Sequence, residues 1–244
     1  MLIEGRNAVL ELLKSDNAVD KIVIQKGAEQ SGSGASILRK LRDKGIKYQF
    51  VPIGVIDGLS VTKKHQGFIA YTEDFSYCTT DEIIAYADSR GEQPFVIILD
   101  GIQDPHNLGS IIRVCECAGC HGIIIPKFRS VSVNETVVKV SAGAASHVRI
   151  ARVTNIVTEI ERLKQLKFWV YGSDSDGESM YSADFSGSIA LVIGGEGEGI
   201  KALTKKACDK VLSIPMFGQI NSLNASVACG VLVYEAQRGR RGLK

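Results

Sequence analysis

The sequence lacks long hydrophobic runs, an export signal and a strong net charge, and each absence narrows the possible classes of protein. No apolar run among the 244 residues approaches the roughly 18 that a membrane-spanning helix requires. The start, MLIEGRNAVLELL, has no basic region followed by a long apolar core, so we expect no signal peptide. The six cysteines are therefore expected to be reduced thiols in a cytoplasm.

The composition is that of an ordinary globular protein, and the charge is nearly balanced. Hydrophobic residues make up 45% and charged residues 23%, the formal net charge is +2 and the pI is about 8.2. These values neither predict nor exclude a nucleic-acid-binding protein, because local patches matter more than totals. We find no internal repeat and no low-complexity tract, and the length allows one large or two modest domains.

Alternating strand and helix patterns predict an α/β fold in two parts. Over residues 1–75, GRNAVLELLK and SGASILRKLRDKG are typical of helices, the second ending at Gly45, while DKIVIQ, IKYQFV and QGFIAYT are typical of strands. Residues 76–93 are polar and are predicted to be a linker with one short helix. From Phe95, within residues 94–244, short apolar strands alternate with helices, which predicts a parallel sheet covered on both faces.

Three loops at predicted strand ends carry the candidate functional residues. Ligands of parallel sheets bind beyond the carboxyl ends of the strands, which directs attention to the loops after Leu99, Ile193 and Ile214. In the first loop, LDGIQDPHNLGSIIR, Asn107 is predicted to cap a helix on whose polar side Arg113 lies. An ordinary capped helix with one solvated arginine has the same pattern.

The second loop, VIGGEGEGI, combines four glycines with two glutamates. It fits neither the dinucleotide fingerprint, because Ile200 stands where the third glycine would fall, nor the phosphate-binding loop, because that isoleucine follows Gly199 where a lysine is needed. Glycines let a ligand approach the backbone closely, and a carboxylate suits a cationic or hydroxyl-bearing partner. A flexible turn is the alternative interpretation.

The third loop, IPMFGQINSLN, precedes a helix that is apolar on nearly every side. Asn221 or Ser222 is predicted to cap this helix, and Asn224 is predicted to lie within its first turn, where asparagine is a mediocre helix former. Capping uses only one of these polar side chains. The helix itself is expected to be buried in the core or at a subunit interface.

In this order, the three loops resemble the three motifs of the SpoU (TrmH) family of RNA ribose methyltransferases in the SPOUT superfamily. The resemblance runs from about Phe95 to Arg238, and NASVA departs from it slightly in having Ala225 where valine is frequent. The N-terminal part, including KKHQGFIA, is similar to the ribosomal-protein-like RNA-binding domain of one bacterial branch. That branch resembles the 23S rRNA guanosine-2′-O-methyltransferases.

The resemblance implies a fold, a cofactor and a set of site residues. It implies a deep trefoil knot, S-adenosylmethionine bound in the knot, and a homodimer. The cofactor site would be lined by Gly194, Gly195, Gly199, Ile214, Met216, Ser222 and Leu223. The catalytic set would be Asn107, Arg113, Glu196, Ser222 and Asn224. The N-terminal domain would contact RNA through Arg6, Arg39, Lys40, Arg42, Lys44, Lys63 and Lys64, although solvated basic side chains are the usual finding at such positions.

The implied reaction is methyl transfer to a ribose 2′-oxygen, which needs no metal. An arginine has a pKa above about 12, so we expect Arg113 to bind a phosphate and stabilise the developing alkoxide rather than act as base. Cys117, Cys120 and His121 are closely spaced, but no second ligand pair follows, so we expect no metal site. The alternatives are the same chemistry on tRNA, or a non-catalytic RNA-binding protein of ribosome assembly.

Overall fold

The computed structural model of the chain describes residues 2–14, 19–72, 75–197 and 199–243. The strands are β1 (Leu2–Glu4), β2 (Val19–Gln25), β3 (Tyr48–Val51), β4 (Phe68–Thr72), β5 (Phe95–Asp100), β6 (Gly122–Pro126), β7 (Ile150–Val153), β8 (Trp169–Ser179), β9 (Ile189–Gly194) and β10 (Lys210–Ser213). The α-helices are α1 (Arg6–Leu12), α2 (Gly32–Asp43), α3 (Ile53–Leu59), α4 (Thr80–Ser89), α5 (Pro105–Ala118), α6 (Glu135–Val140), α7 (Ile156–Gln165), α8 (Ala202–Ala207) and α9 (Ala225–Arg240).

The contacts of the chain divide it into two compact units. Unit 1 comprises Met1–Ser76 together with Val133–His147, and unit 2 comprises Tyr77–Ser132 together with Val148–Lys244. Within the described residues, no helix combines the length and the hydropathy that crossing a bilayer requires. The contacts place the segment that holds α6 in unit 1, although this segment lies in the second half of the sequence.

Unit 1 is built on a mixed four-stranded sheet, as the small α/β pattern predicts. Its strand order is β1-β4-β2-β3, with β4 antiparallel to both of its neighbours and β2 parallel to β3. Helix α2 ends at Asp43, and Gly45 follows with φ 65°, which confirms the predicted end of this helix. The core combines side chains of the sheet and the helices: Ile3, Val9, Leu12, Ile22, Ile24, Ile37, Leu41, Ile56 and Phe68.

A buried carboxylate, that of Glu4, organises the loop between α3 and β4. It accepts hydrogen bonds from the Ser60 hydroxyl at 3.0 Å, the Thr62 amide at 3.2 Å and the Thr62 hydroxyl, and also from the Val61 amide. Lys139 of α6 donates to the same Thr62 hydroxyl at 2.5 Å. Burial acts to raise the pKa of Glu4, but the hydrogen bonds from Thr62, Val61 and Ser60 outweigh it and lower the pKa below 4.5.

Unit 2 contains a six-stranded sheet in the order β10-β8-β9-β5-β6-β7. Every neighbouring pair is parallel, which confirms the predicted sheet. All six residues of β5 are buried, so both faces of this central strand are covered. Val96 and Ile98 pack with Ile83 of α4 and Ile160 of α7, while alternation along the strand directs Ile97 to the opposite face.

Helix α9 packs against α5 and is buried along one face only. Its buried residues include Cys229, Leu232 and Val233, whereas Tyr234 is exposed. Burial in the core, the first of the two alternatives expected for this helix, therefore holds for one face of α9 only. Burial of its exposed apolar side chains at a subunit interface, the second alternative, stays a prediction.

We expect Glu4→Gln to destabilise the protein by about 2 kcal/mol at neutral pH, because an amide cannot accept all of the hydrogen bonds that the buried carboxylate accepts. The folded-state pKa of Glu4 is lowered, so its contribution is present above about pH 4.5 and is lost as the pH falls through the lowered value. Urea unfolding followed by circular dichroism measures the difference. Asp20→Asn, at an exposed carboxylate of β2, is the control and should be neutral. Equal losses at neutral and acidic pH would contradict the assignment.

Candidate functional site

Unit 2 contains a cavity of about 810 Å³ at the carboxyl edge of its sheet. The wall is formed by the part of β8 beyond its pairing with β9, by the ends of β9 and β10, and by the start of α9. Such a volume falls in the range of small-molecule sites, about 300–1,000 Å³. The lining residues are Ser173–Ser175, Ile193–Gly197, Gly199, Ser213–Met216, Asn221–Ala225 and Ala228.

The glycines of the second loop are required by close backbone contacts. A Cβ added at Gly194 would lie 2.1 Å from the carbonyl carbon of Gly199, and one added at Gly195 would lie 2.7 Å from the carbonyl oxygen of Gly101. The Gly199 amide also donates to the Gly195 carbonyl at 3.2 Å. The loop therefore folds back on itself and against the first loop, in a way that a side chain would prevent.

Asp100, at the end of β5, connects the first and second loops. One of its buried carboxylate oxygens accepts from the Lys201 amide at 3.0 Å, and the other accepts from the Lys201 ammonium at 2.9 Å. Its backbone carbonyl accepts from the Gly195 amide at 3.2 Å. Sequence reasoning missed this residue, although a charged side chain at the end of a wholly apolar strand was a usable signal.

Asn107 does not cap α5, contrary to the sequence-based expectation. Asp104 is the N-cap, accepting from the His106 amide at 2.8 Å, and Pro105 occupies the first helical position. Asn107 is buried in the first turn, and its side-chain amide donates to the carboxylate of Glu196. Because it does not cap the helix, the Asn107 side chain can link the first loop to the second through this hydrogen bond.

Asn224 is the cap of α9, so the expectations that Asn221 or Ser222 caps it and that Asn224 lies in its first turn are wrong. The Asn224 side chain accepts from the Ser226 amide at 2.9 Å and from the Val227 amide at 3.4 Å. The helix begins only at Ala225, and residues 214–224 before it form neither helix nor strand. The polar side chains not consumed by capping are therefore Asn221 and Ser222, and both line the cavity.

The structure gathers most of the site residues implied by the family resemblance around this cavity. The cavity wall includes Gly194, Gly195, Gly199, Ile214, Met216, Ser222 and Leu223, as well as Glu196 and Asn224. Asn107 reaches the wall through its hydrogen bond to Glu196. Arg113 is exposed on α5 and is not among the lining residues of the described chain.

Sequence reasoning missed the contribution of β8 to the wall. Asp174 lines the cavity, and Lys205 of α8 donates to its carboxylate at 3.0 Å. Burial acts to raise the pKa of Asp174, but the hydrogen bond and charge of Lys205 outweigh it and lower the pKa. Asp174 therefore supplies a second carboxylate beside that of Glu196. The signal was the polar stretch SDSDG directly after a strand that neighbours β9.

The basic residues expected to contact RNA lie in unit 1. Arg39, Arg42, Lys44, Lys63 and Lys64 are exposed, and Lys40 and Arg6 are half-buried. The Arg6 guanidinium donates to the Ser33 hydroxyl at 3.3 Å.

His121 of the CECAGCH stretch has structural partners in unit 2. One ring nitrogen of His121 accepts from the Phe95 amide at 2.9 Å, and the other lies 3.0 Å from the Glu92 carboxylate. Cys120 is buried and Cys117 is exposed. No group of three or more metal-ligating side chains occurs in the part of the chain that the structure describes.

Comparison with known proteins gives related families for both parts of the chain. Residues 94–234 match the SpoU rRNA Methylase family, and residues 2–78 match the family described as RNA 2′-O ribose methyltransferase substrate binding. YacO of Bacillus subtilis (strain 168), named as a TrmH family tRNA/rRNA methyltransferase, is 42% identical over 237 residues, which cover 97% of this chain and 94% of YacO. A Staphylococcus saprophyticus protein of the same family name is 41% identical over 241 residues, covering 98% of this chain and 96% of its own length.

A solved structure shares the fold. The SpoU methyltransferase AviRb from Streptomyces viridochromogenes, crystallised in complex with the cofactor AdoMet, superimposes with a TM-score of 0.83 at 23% identity. The match covers 98% of this chain and 89% of AviRb. The predicted fold class, a parallel-sheet domain of the SPOUT type with a small N-terminal α/β domain, is confirmed by this likeness and by the match at residues 2–78.

We expect Gly194→Ala to destabilise unit 2 by about 2 kcal/mol, because the new methyl group would meet backbone atoms of Gly199 that cannot move independently. Urea unfolding monitored through Trp169, the single tryptophan, measures the loss. Gly218→Ala in the third loop is the matched control, since nothing lies within 4 Å of its added Cβ. Equal stability of the two variants would contradict the close packing of the second loop.

Proposed function

The chain belongs to the SpoU rRNA methylase family, and on that premise we propose that it is an RNA 2′-O-ribose methyltransferase acting on a guanosine of 23S rRNA. The observation that carries the proposal is the cavity at the carboxyl edge of unit 2, where the second and third loops form the wall and Asn107 of the first loop reaches Glu196. The N-terminal match to a substrate-binding family supports an RNA substrate.

The residues of the cavity fit S-adenosylmethionine. The tight backbone turn at Gly194 and Gly195 leaves main-chain groups at the wall, and Ile214, Met216 and Leu223 add apolar surface. The carboxylates of Asp174 and Glu196 suit a ligand that carries positive charge and ribose hydroxyls. When bound, S-adenosylmethionine supplies an electrophilic methyl group and departs as a neutral thioether.

The tasks left to the protein are alignment of the ribose and activation of its 2′-hydroxyl. We assign to Arg113 the phosphate next to the target ribose and the charge that develops on the 2′-oxygen, because a guanidinium keeps its proton at neutral pH. A phosphate oxygen or a water molecule then takes the proton. Asn107 holds the Glu196 carboxylate through its hydrogen bond, and Glu196 orients the target nucleoside.

A homodimer follows from the same proposal. Arg113 does not line the cavity of its own chain, and we propose that a second copy completes the set. Phe217 is 97% exposed in the third loop, and Ile220 and Tyr234 are also exposed, which supports an apolar surface that a partner covers. The chain leaves the edge strand β10 and returns to pack α9 on α5, a path that agrees with the knot implied by the family.

The proposal assigns a separate role to each part of the chain. Residues 1–75 bind RNA through the basic side chains of α2 and of the loop before β4, residues 76–93 form the linker, and residues 94–244 carry out the reaction. We propose that the protein acts in the cytoplasm. Phosphate contacts of this kind make affinity fall steeply with salt.

Methyl transfer from labelled S-adenosylmethionine to separated 23S rRNA, 16S rRNA and tRNA tests the proposal, with RNA from a methylation-deficient source. We expect label on one ribose of 23S rRNA, located by nuclease mapping. Label on tRNA would support the proposed reaction but contradict the proposed 23S rRNA substrate. RNA binding without any transfer, to free RNA or to ribosomal particles, would favour a non-catalytic assembly protein.

We expect Arg113→Lys to keep RNA affinity but to lower the rate of methyl transfer about a hundredfold, because lysine keeps the charge but loses the planar fork of donors. Single-turnover rates at saturating RNA measure the effect. Arg162→Lys on α7 is the matched control, since Arg162 pairs with Glu159 and Asp81 away from the cavity and should tolerate the change. A fully active Arg113→Lys enzyme would refute the assigned role.

A further inference from the structure

A short loop after β6 combines an exposed aromatic ring with two cations. This loop, Lys127–Arg129, is called the KFR loop here. It leaves the carboxyl end of β6, and therefore lies at the same edge of the sheet as the cavity. All three of its residues are exposed, and Phe128 retains 70% of its accessible surface. A phenylalanine so exposed at the functional edge of a domain requires an explanation beyond folding.

The KFR loop is fixed to the first loop of the candidate site. The Ser130 hydroxyl and the Val131 amide, which directly follow the KFR loop, both donate to the Ile102 carbonyl at 2.9 Å. The Arg129 carbonyl lies 3.8 Å from where a Cβ of Gly101 would be. The exposed side chains are thus held beside the segment that carries Asn107.

The backbone of the KFR loop is held in an unusual conformation. Arg129 has φ 58°, in the left-handed region that side chains other than glycine and asparagine rarely adopt. Such conformations persist where the surroundings impose them, and they concentrate at ligand-binding sites. The two hydrogen bonds to Ile102 fix the chain directly after Arg129.

A third cation supports the KFR loop from β7. Arg152 donates to the Lys127 carbonyl at 3.1 Å, and its guanidinium lies 4.8 Å from the centre of the Tyr77 ring. Over the described residues, neither Lys127 nor Arg129 takes part in an ion pair. Within the described part of the chain, the exposed ring therefore stands between two cations with which no acidic side chain pairs.

We propose that the KFR loop binds single-stranded RNA beside the target ribose, with Phe128 stacked on a base and with Lys127 and Arg129 on the flanking phosphates. The inference rests on the proposed function, because that function makes RNA the ligand of this edge. Stacking on an aromatic ring tolerates any base, and cations track the backbone. The positive surroundings of Phe128 favour a polyanion over a second protein as the partner.

Fluorescence titration of the full chain with short single-stranded RNAs carrying 2-aminopurine at successive positions tests the proposal. In the wild-type protein, one position should be quenched by stacking. Phe128→Ala should abolish that quenching and weaken binding about tenfold, while Phe128→Trp should retain both. The control is Tyr181→Ala, at a ring that is 64% exposed near Arg238 in the last turn of α9, and it should bind as the wild type does.

The salt dependence of RNA affinity tests the cations separately. Lys127→Gln and Arg129→Gly should each lower the slope of log affinity against log salt by about 0.7, and the glycine keeps the left-handed backbone. Unchanged slopes, or unchanged quenching in Phe128→Ala, would overturn the proposal. A change in oligomeric state with unchanged RNA affinity would also overturn it, because the surface would then be a protein interface.

The same preparations distinguish failure of this inference from failure of the proposed function. Methyl transfer by the wild type, together with unchanged RNA binding and quenching in Phe128→Ala, would support the proposed function and contradict RNA binding by the KFR loop. Quenching that depends on Phe128, without any methyl transfer by the wild type, would support the KFR loop as an RNA-binding site and contradict the proposed function. Cofactor affinity measured by calorimetry should be equal in all of these variants.

Discussion

The buried carboxylate of Asp100 is the interaction on which the candidate site depends. It ends the central strand of unit 2, binds both the amide and the ammonium of Lys201, and its backbone holds Gly195. Two loops that are far apart in sequence are thereby fixed at one edge of the sheet. The contact between Asn107 and Glu196 joins the same two loops. A buried charge is costly unless it is fully paired, so the paired state of Asp100 also opposes other loop arrangements.

Much of the fold follows from periodicity, and the reason is burial. A strand such as β5 is apolar from Phe95 to Leu99 because helices cover both faces of the sheet, and a short apolar run of this kind is typical of a buried parallel strand. Helix starts are harder to predict. Asp104, Asn107, Ser222 and Asn224 are all acceptable caps by residue type, and the tertiary position of the chain decides which one is used. A threaded topology, which only the family resemblance implies, lies outside such reasoning, because the general rules of chain connection favour unknotted paths.

The missed residues share a physical cause. SDSDGES has the composition of a loop, yet it continues β8. Only its last two residues, Glu178 and Ser179, pair with β10, and the register shifts across residues 173–177. Asp174 therefore reaches the cavity from within a strand. The net charge of +2 likewise does not show where the charged side chains lie. Two carboxylates lie on the wall of the cavity, whereas two exposed cations lie in the KFR loop. Local placement, rather than composition, carries the functional information.

The pairing of β5 with β9 has a consequence for how the site is acquired. Asp100 and Lys201 are 101 positions apart, so the loop that joins them must close before either can contribute. Long-range parallel pairing forms slowly, and the contacts that define the cavity have no local substitute. A partly folded chain therefore has no partial site. Ligand binding should appear abruptly, in the same kinetic phase as completion of the central sheet, and not earlier with the helices.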